Sequence, residues 1–234
     1  MKDLSKLKIL ITGGSSGIGK ATAKELVIKG ATVCITGRDK KKLTKVAANI
    51  SAKSIHFDVS DYNIIESKIL EVKNMMNGID VLVNNAGIGE FSKIEDIDIN
   101  QFQNVFSTNV FGLTMVTQNV VKIFREQQSG TIINIGSTAA LNGFASGSVY
   151  SSSKFALRGL TSCWKQELRR DNIQVTLINP SEVTTAFNNK SRVERSEEKN
   201  KLRPRDVAHA IVSAIAMDNR GFIPELDIWA TNPF

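Results

Sequence analysis

One grouping of side chains in this sequence is suited to proton transfer: Ser137, Tyr150 and Lys154. Tyr150 and Lys154 stand four residues apart, a spacing that on a helix puts both on one face, one turn from each other. An ammonium beside a phenol favours the phenolate and lowers a pKa that starts at about 10. A phenol so tuned gives a proton to a ketone oxygen, or takes one from an alcohol, near neutral pH. Ser137 precedes Tyr150 by thirteen residues and follows an apolar run, where its hydroxyl can hydrogen-bond the same substrate oxygen. Taken singly these are an ordinary tyrosine, a surface lysine and a strand-end serine; taken together their roles are complementary.

A second motif, Thr12-Gly13-Gly14-Ser15-Ser16-Gly17-Ile18-Gly19, follows a strand pattern and opens a helix pattern. Gly13 permits a tight turn, Gly17 lets backbone approach a phosphate, and Gly19 allows close helix–strand packing. The helix N-terminus then offers free N–H groups and a positive dipole end to a pyrophosphate. The next strand pattern ends in Gly37-Arg38. An acid near this strand end would hydrogen-bond the ribose 2′-hydroxyl of NAD and repel a 2′-phosphate. Gly37 leaves room there, and Arg38 can pair with a phosphate through a charge-assisted fork. Lys40–Lys42 add to the local field and Asp39 weakens it. This pattern predicts preference for NADP(H), with NAD(H) as the alternative; the plainer reading of Arg38 is that it merely begins an exposed helix.

Gly13-x-x-x-Gly17-x-Gly19, Asn84-Asn85-Ala86-Gly87, Asn109, Ser137 and Tyr150-Ser-Ser-Ser-Lys154 occur in the order and spacing of the motif set of classical short-chain dehydrogenases/reductases, which the chain resembles from Leu7 to Asn232. The resemblance implies that Tyr150 is the general acid/base and that Lys154 lowers its pKa and holds the nicotinamide ribose. Ser137 would orient the substrate carbonyl, and Asn109 would hold a water in a proton relay. Ser15, Ser16 and Ile18 would belong to the phosphate loop. Asn85, Ala86 and Gly87 would lie along the cofactor, and Asp58 with Val59 would contact the adenine. Pro180, Val183 and Thr185 match residues expected near the nicotinamide. Ser181 stands where the family usually has glycine, and an ordinary backbone conformation is expected for it. Ser16, where some NADP-dependent relatives carry a basic residue, adds nothing to the NADP reading. Apart from the resemblance, Asn84 and Asn85 could cap a turn, and Asn109 could mark a helix kink or a buried hydrogen bond.

These groups must be positioned by the elements around them. Short β-branched runs are predicted as strands over Lys8–Thr12, Thr32–Thr36, Ser54–Phe57, Val81–Asn84, Thr131–Ile135, Gln174–Ile178 and Leu226–Trp229. Helices are predicted over Gly17–Lys29, Lys40–Asn49, Asp61–Met75, Ile97–Gln127, Tyr150–Arg170 and Pro204–Met217. Such alternation implies parallel strands joined by right-handed crossovers. The expected architecture is one doubly wound Rossmann-type α/β domain over 1–234, with about seven strands and helices on both faces. Asn188–Arg203 is too polar for core and reads as a mobile segment beside the site, a short lid or a solvated linker.

Of the 234 residues, 41% are hydrophobic and 23% charged, an ordinary globular balance. The net charge of +7 is spread along the chain, so no nucleic-acid surface is predicted. No apolar run is long enough to span a membrane, and Met1–Leu7 does not read as a secretory signal, so a cytoplasmic protein is expected. Cys34 and Cys163 show no metal or disulfide spacing and read as buried thiols. The expected substrate pocket, Ile88–Phe91, Thr138–Ser148 and the chain after Thr185, contains Leu141, Phe144 and Phe187 and suits a mainly apolar carbonyl or alcohol. Helices Ile97–Gln127 and Tyr150–Arg170 carry apolar residues on more faces than one sheet covers, among them Val105, Val110, Phe111, Val116, Val120, Phe155, Leu160 and Trp164, and predict a homotetramer or homodimer. The functional reading is an NADP(H)-dependent oxidoreductase acting on a carbonyl or alcohol. The alternative is a non-catalytic NADP(H)-binding redox sensor, which need not keep Ser137, Tyr150 and Lys154 together.

Overall fold

The computed structural model describes residues 1–187 and 193–233. Seven strands, β1 (Lys8–Ile11), β2 (Thr32–Gly37), β3 (Lys53–His56), β4 (Val81–Asn84), β5 (Gly130–Ile135), β6 (Ile173–Pro180) and β7 (Glu225–Ile228), form one parallel sheet in the order β3-β2-β1-β4-β5-β6-β7. The order reverses between β1 and β4, the switch point at which open α/β sheets bind ligands. The central strands alternate between two cores. Ile9, Ile11, Val33, Ile35 and Val83 face one side, while Leu10, Cys34, Leu82, Ile132 and Val175 face the other. A strand buried on both faces reads as a continuous apolar run, which is why these segments were legible.

The first core is closed by α1 (Gly17–Ile28), α2 (Lys40–Ile50) and α7 (Pro204–Ile215), through Leu26, Leu43, Ile211 and Ile215 among others. The second is closed by α3 (Tyr62–Met76), α5 (Leu113–Gln127) and α6 (Ser148–Leu168), through Ile65, Ile69, Val120, Phe124 and Leu168. Helix α1 stops as predicted at Gly30, which has φ 87°; Gly30 N–H donates to the Val27 carbonyl and Ala31 N–H to the Leu26 carbonyl. Pro204 takes the first position of α7.

The predicted helix Ile97–Gln127 is corrected in two ways. It starts at Ile99, with Asp98 as the capping residue accepting from Asn100 N–H. It is also broken by a π-helical stretch, Ser107–Gly112, between α4 (Ile99–Phe106) and α5. Gly112 lies so close to the Val59 carbonyl that a Cβ there would clash, so the wide turn brings the helix hard against the loop after β3. Val105, Val110, Val116 and Val120 are covered within the chain, whereas Phe111 and Phe155 remain 52% and 44% exposed. Cys34 is buried as expected, but Cys163 is exposed on α6.

The segment read as free of core contact is also corrected. Residues 188–192 lie outside the described residues; beyond them, Leu202 is buried in the first core and its backbone bridges Val183. Lys201 and Arg195 both reach Glu182, at 2.9 and 3.1 Å, so this charged stretch is pinned across the site. No helix among the described residues is long and apolar enough to cross a membrane.

Candidate active site

The C-terminal ends of β1, β4, β5 and β6 open on a cavity of about 930 Å³. Its wall includes every residue predicted for cofactor or catalysis except Gly19 and Asn109. Those two lie behind the wall and support it.

The glycine loop is locked to the strand beside it. Gly13 has φ 66°, and a Cβ there would stand 2.9 Å from Ala86 Cα. Gly19 has no room for a side chain against the Asn85 amide and the Gly13 carbonyl. Asn85 Nδ2 donates to the carbonyls of Thr12 and Gly13, both at 3.0 Å, and Thr12 Oγ1 accepts from the N–H groups of Asn85 and Ala86. The asparagine expected to lie along a cofactor thus also braces the phosphate loop. Ser16 precedes α1 in extended conformation without capping it. The uncapped Gly17 N–H instead meets Glu194 Oε1 at 3.4 Å, and Lys20 Nζ lies 3.9 Å from the same oxygen. A carboxylate seated at this helix end behaves as an anion should in that field.

At the far end of the cavity, Arg38, Asp39 and Lys42 line the wall beyond β2. A Cβ on Gly37 would stand 3.2 Å from Ser15 Oγ, so glycine keeps the loop and the strand end together. Arg38 is exposed, its carbonyl held by the His56 ring at 2.9 Å. Asp39 accepts from Lys42 N–H as the cap of α2, which holds its charge toward the helix. Asp58 accepts from the N–H and hydroxyl of Ser60. Ser181 has an ordinary backbone conformation as expected, and its hydroxyl oxygen accepts from Ala230 N–H.

Ser137, Tyr150 and Lys154 come together at the ends of β5 and α6. Ser137 Oγ accepts from Ala139 N–H at 3.1 Å, which leaves its own proton for the Tyr150 oxygen. Lys154 is buried; its ammonium donates to the Ile135 carbonyl at 2.8 Å and stands 5.7 Å from the Tyr150 ring centre. Burial pushes the Tyr150 phenol up to about 12, against the smaller opposing effect of the Ser137 hydrogen bond. Burial likewise brings Lys154 down to about 8. That Lys154 lowers the phenol when a dinucleotide is bound stays a proposal. The ammonium is turned to a backbone carbonyl, and desolvation dominates.

Asn109, in the π-helical stretch, is fully engaged by protein atoms. Its Oδ1 accepts from Ile88 N–H at 2.9 Å, and its Nδ2 donates to the Ile88 carbonyl and to Ser153 Oγ. Ser153 Oγ in turn donates to the Tyr150 carbonyl at 2.7 Å. One amide thus ties the loop after β4 to the first turn of α6. Both readings left open in the sequence, a disturbed helix and a buried hydrogen bond, apply here; the water-holding role stays a proposal.

The sequence reading missed a buried polar chain. Asn84 is not a turn cap: it ends β4, is 1% exposed, and its Nδ2 donates to Thr117 Oγ1 and to Asn134 Oδ1. Asn134, its partner in register on β5, donates to Thr161 Oγ1 on α6. Two asparagines inside otherwise apolar strands were the available signal. Glu194 carried none, since it meets Gly17 only through folding. In the expected substrate pocket, Phe91, Phe144 and Phe187 line the cavity with Trp229, which had not been placed there, whereas Leu141 does not line it. Among the described residues no group of three or more His, Cys, Asp or Glu is placed to hold a metal.

Residues 7–196 match the short chain dehydrogenase family. A relative from Staphylococcus aureus (strain USA300), described as an uncharacterized oxidoreductase, is 30% identical over 222 residues, 94% of this chain and 95% of its own. The closed form of a serine dehydrogenase complexed with NADP+ is similar with a TM-score of 0.87 at 25% identity, covering 95% of this chain and 94% of that one. A metagenomic short-chain oxidoreductase in complex with NADP reaches 0.84 at 29% identity, covering 98% of this chain and 99% of that one. With the family matched over most of its length and the sheet order and loop geometry in accord, the chain belongs to the short-chain dehydrogenase family of oxidoreductases.

Proposed function

We propose that the protein is an NADP(H)-dependent oxidoreductase that reduces a ketone or 3-oxo compound to an alcohol, or runs the reverse reaction. The observation that carries this reading is the sharing of one cavity by Ser137, Tyr150, buried Lys154 and the glycine loop at the start of α1. The residues present fit a dinucleotide. Gly13 and Gly17 present backbone where a side chain would meet Ala86 or Thr185, and the α1 N-terminus already holds a carboxylate at Gly17 N–H. Gly17, Ser15, Ser16 and Ile18 would hold the pyrophosphate, Arg38 with Lys42 a 2′-phosphate, and Asp58 and Val59 the adenine. Asn85, Ala86, Gly87, Pro180, Val183 and Thr185 would flank the nicotinamide half, with Lys154 on its ribose. The bound dinucleotides of two similar structures, NADP+ and NADP, support the same assignment.

A reduced nicotinamide, when bound, supplies the hydride that the carbonyl carbon accepts. Ser137 and Tyr150 hold the carbonyl oxygen, and Tyr150 gives it the proton that completes the alcohol. A phenol raised to about 12 keeps that proton through the neutral range, which suits the reductive direction. Afterwards Tyr150 regains a proton from solvent. Asn109 keeps Ile88 and the first turn of α6 in place. The test is a panel of carbonyls and alcohols with NADPH and NADH, followed by cofactor absorbance. Tyr150→Phe should keep NADPH binding and lose roughly 10²- to 10⁴-fold in carbonyl reduction. Binding without turnover of any panel member would instead favour the redox-sensor reading.

A further inference from the structure

We propose that the substrate is an uncharged ketone, or the corresponding secondary alcohol, carrying an aromatic or similarly flat ring next to the reacting carbon. This rests on the function proposed above and names its substrate class. The Tyr150 ring is flanked by two phenylalanines: Phe91, at 5.4 Å between ring centres and tilted by 54°, and Phe187, at 5.4 Å and 62°. Phe144 extends the wall from Phe91 at 6.0 Å. These are the separations at which aromatic edges and faces attract.

The wall is built into the backbone. A Cβ on Gly89 would stand 2.7 Å from Phe187 and 2.8 Å from Phe91, and one on Gly147 would stand 2.7 Å from Phe144. Each ring therefore rests on a glycine whose missing side chain makes its space. Yet Phe91 and Phe144 keep 37% and 50% of their surface exposed at the cavity. Apolar ring surface left open beside a proton donor is covered best by a ligand ring stacked or edge-on against it.

Charge argues the same way. Among the described residues, the cations at this end of the cavity are Lys154 and Arg195. Lys154 is held by the Ile135 carbonyl, and Arg195 is paired with both Glu182 and Glu198. Neither is free to take a substrate carboxylate or phosphate, and an unpaired anion beside Phe91 and Phe144 would lose its hydration without compensation.

The test compares acetophenone, 2-butanone and 3-oxobutanoate as substrates of the full chain with saturating NADPH. The kcat/KM for acetophenone is expected to exceed that for 2-butanone by about tenfold or more, the scale set by several ring contacts, and 3-oxobutanoate is expected to be the poorest. Phe91→Ala and Phe144→Ala should each lower kcat/KM for acetophenone by about three- to tenfold, and lower that for 2-butanone less. Calorimetry of acetophenone binding to the protein with NADP+ should show the same loss in the variants, independently of turnover. Faster turnover of 3-oxobutanoate or 2-butanone than of acetophenone would overturn the aromatic assignment while leaving the oxidoreductase reading intact. NADPH binding with no ketone turned over, and no acetophenone bound, would overturn both.

Discussion

Replacing Lys154 by Met should stabilise the protein in the absence of added cofactor while abolishing its activity. The ammonium is buried and its pKa is brought down from 10.5 to about 8 by desolvation. A shift of that size corresponds to about 3 kcal/mol of native-state penalty. Methionine has similar length and no charge, and so removes it. The replacement also removes the hydrogen bond to the Ile135 carbonyl, a loss of about 1 to 2 kcal/mol. The net gain of about 1 to 2 kcal/mol should raise Tm by about 2 to 8 °C for a chain of this size. The sign can be checked by pH. Below the folded value, both folded and unfolded wild type carry the charge, and the native state bears the full penalty. As pH rises from about 8 towards 10.5, the folded lysine is neutral first, so the penalty fades and the wild type gains on the variant. Differential scanning calorimetry at pH 7, 8, 9 and 10 should therefore show the Tm gap narrowing upward. A variant that melts below the wild type at pH 7, or a gap that does not change with pH, would refute the reasoning. Loss of turnover together with a gain in stability would be the mark of a charge kept for chemistry.

Three further outcomes follow from the same structure. Arg38→Ala should raise the Michaelis constant for NADPH more than that for NADH, because Gly37 leaves the strand end to Arg38; equal wild-type efficiency with both cofactors, measured by initial rates, would contradict it. Glu194→Gln should tighten NADPH binding by about two- to fivefold in fluorescence titration, since the carboxylate at Gly17 N–H competes for the helix end, an interaction of about 0.3 to 1 kcal/mol; unchanged or weaker binding would show that Glu194 does not compete. Static light scattering at micromolar protein should give a multiple of 25.6 kDa, and Phe111→Asp combined with Phe155→Asp should reduce it, since these rings are exposed on neighbouring helices; a wild-type monomer would dispose of the oligomer.

Much of this protein is written locally. A strand covered on both faces must be apolar throughout, so the runs around Leu10, Leu82 and Ile132 announced a parallel sheet before any contact was known. Gly30 marked a helix end because it takes a positive φ that other residues rarely adopt, and Pro204 a helix start because its fixed φ and missing N–H suit the first turn. Gly13, Gly17 and Gly19 announced the loop: Gly13 and Gly17 take a positive φ, and a Cβ on Gly13 or Gly19 would collide with Ala86 or Asn85. The four-residue spacing of Tyr150 and Lys154 placed them on one helix face. Sequence alone did not determine what those two groups experience. Their protonation depends on how much water the fold removes and on which atom the ammonium meets, and Ile135, nineteen residues away, supplies that atom. The same holds for the π-helical break at Asn109, which follows from its hydrogen bonds to Ile88 and Ser153, for the Asn84–Asn134 pair made by strand register, and for Glu194 at the phosphate loop, 177 residues from Gly17. Spacing along a chain specifies which groups share a helix or a strand. Burial, the partners of a polar atom and the shape of a cavity are sums over segments distant in sequence, and only the packed tertiary structure decides them.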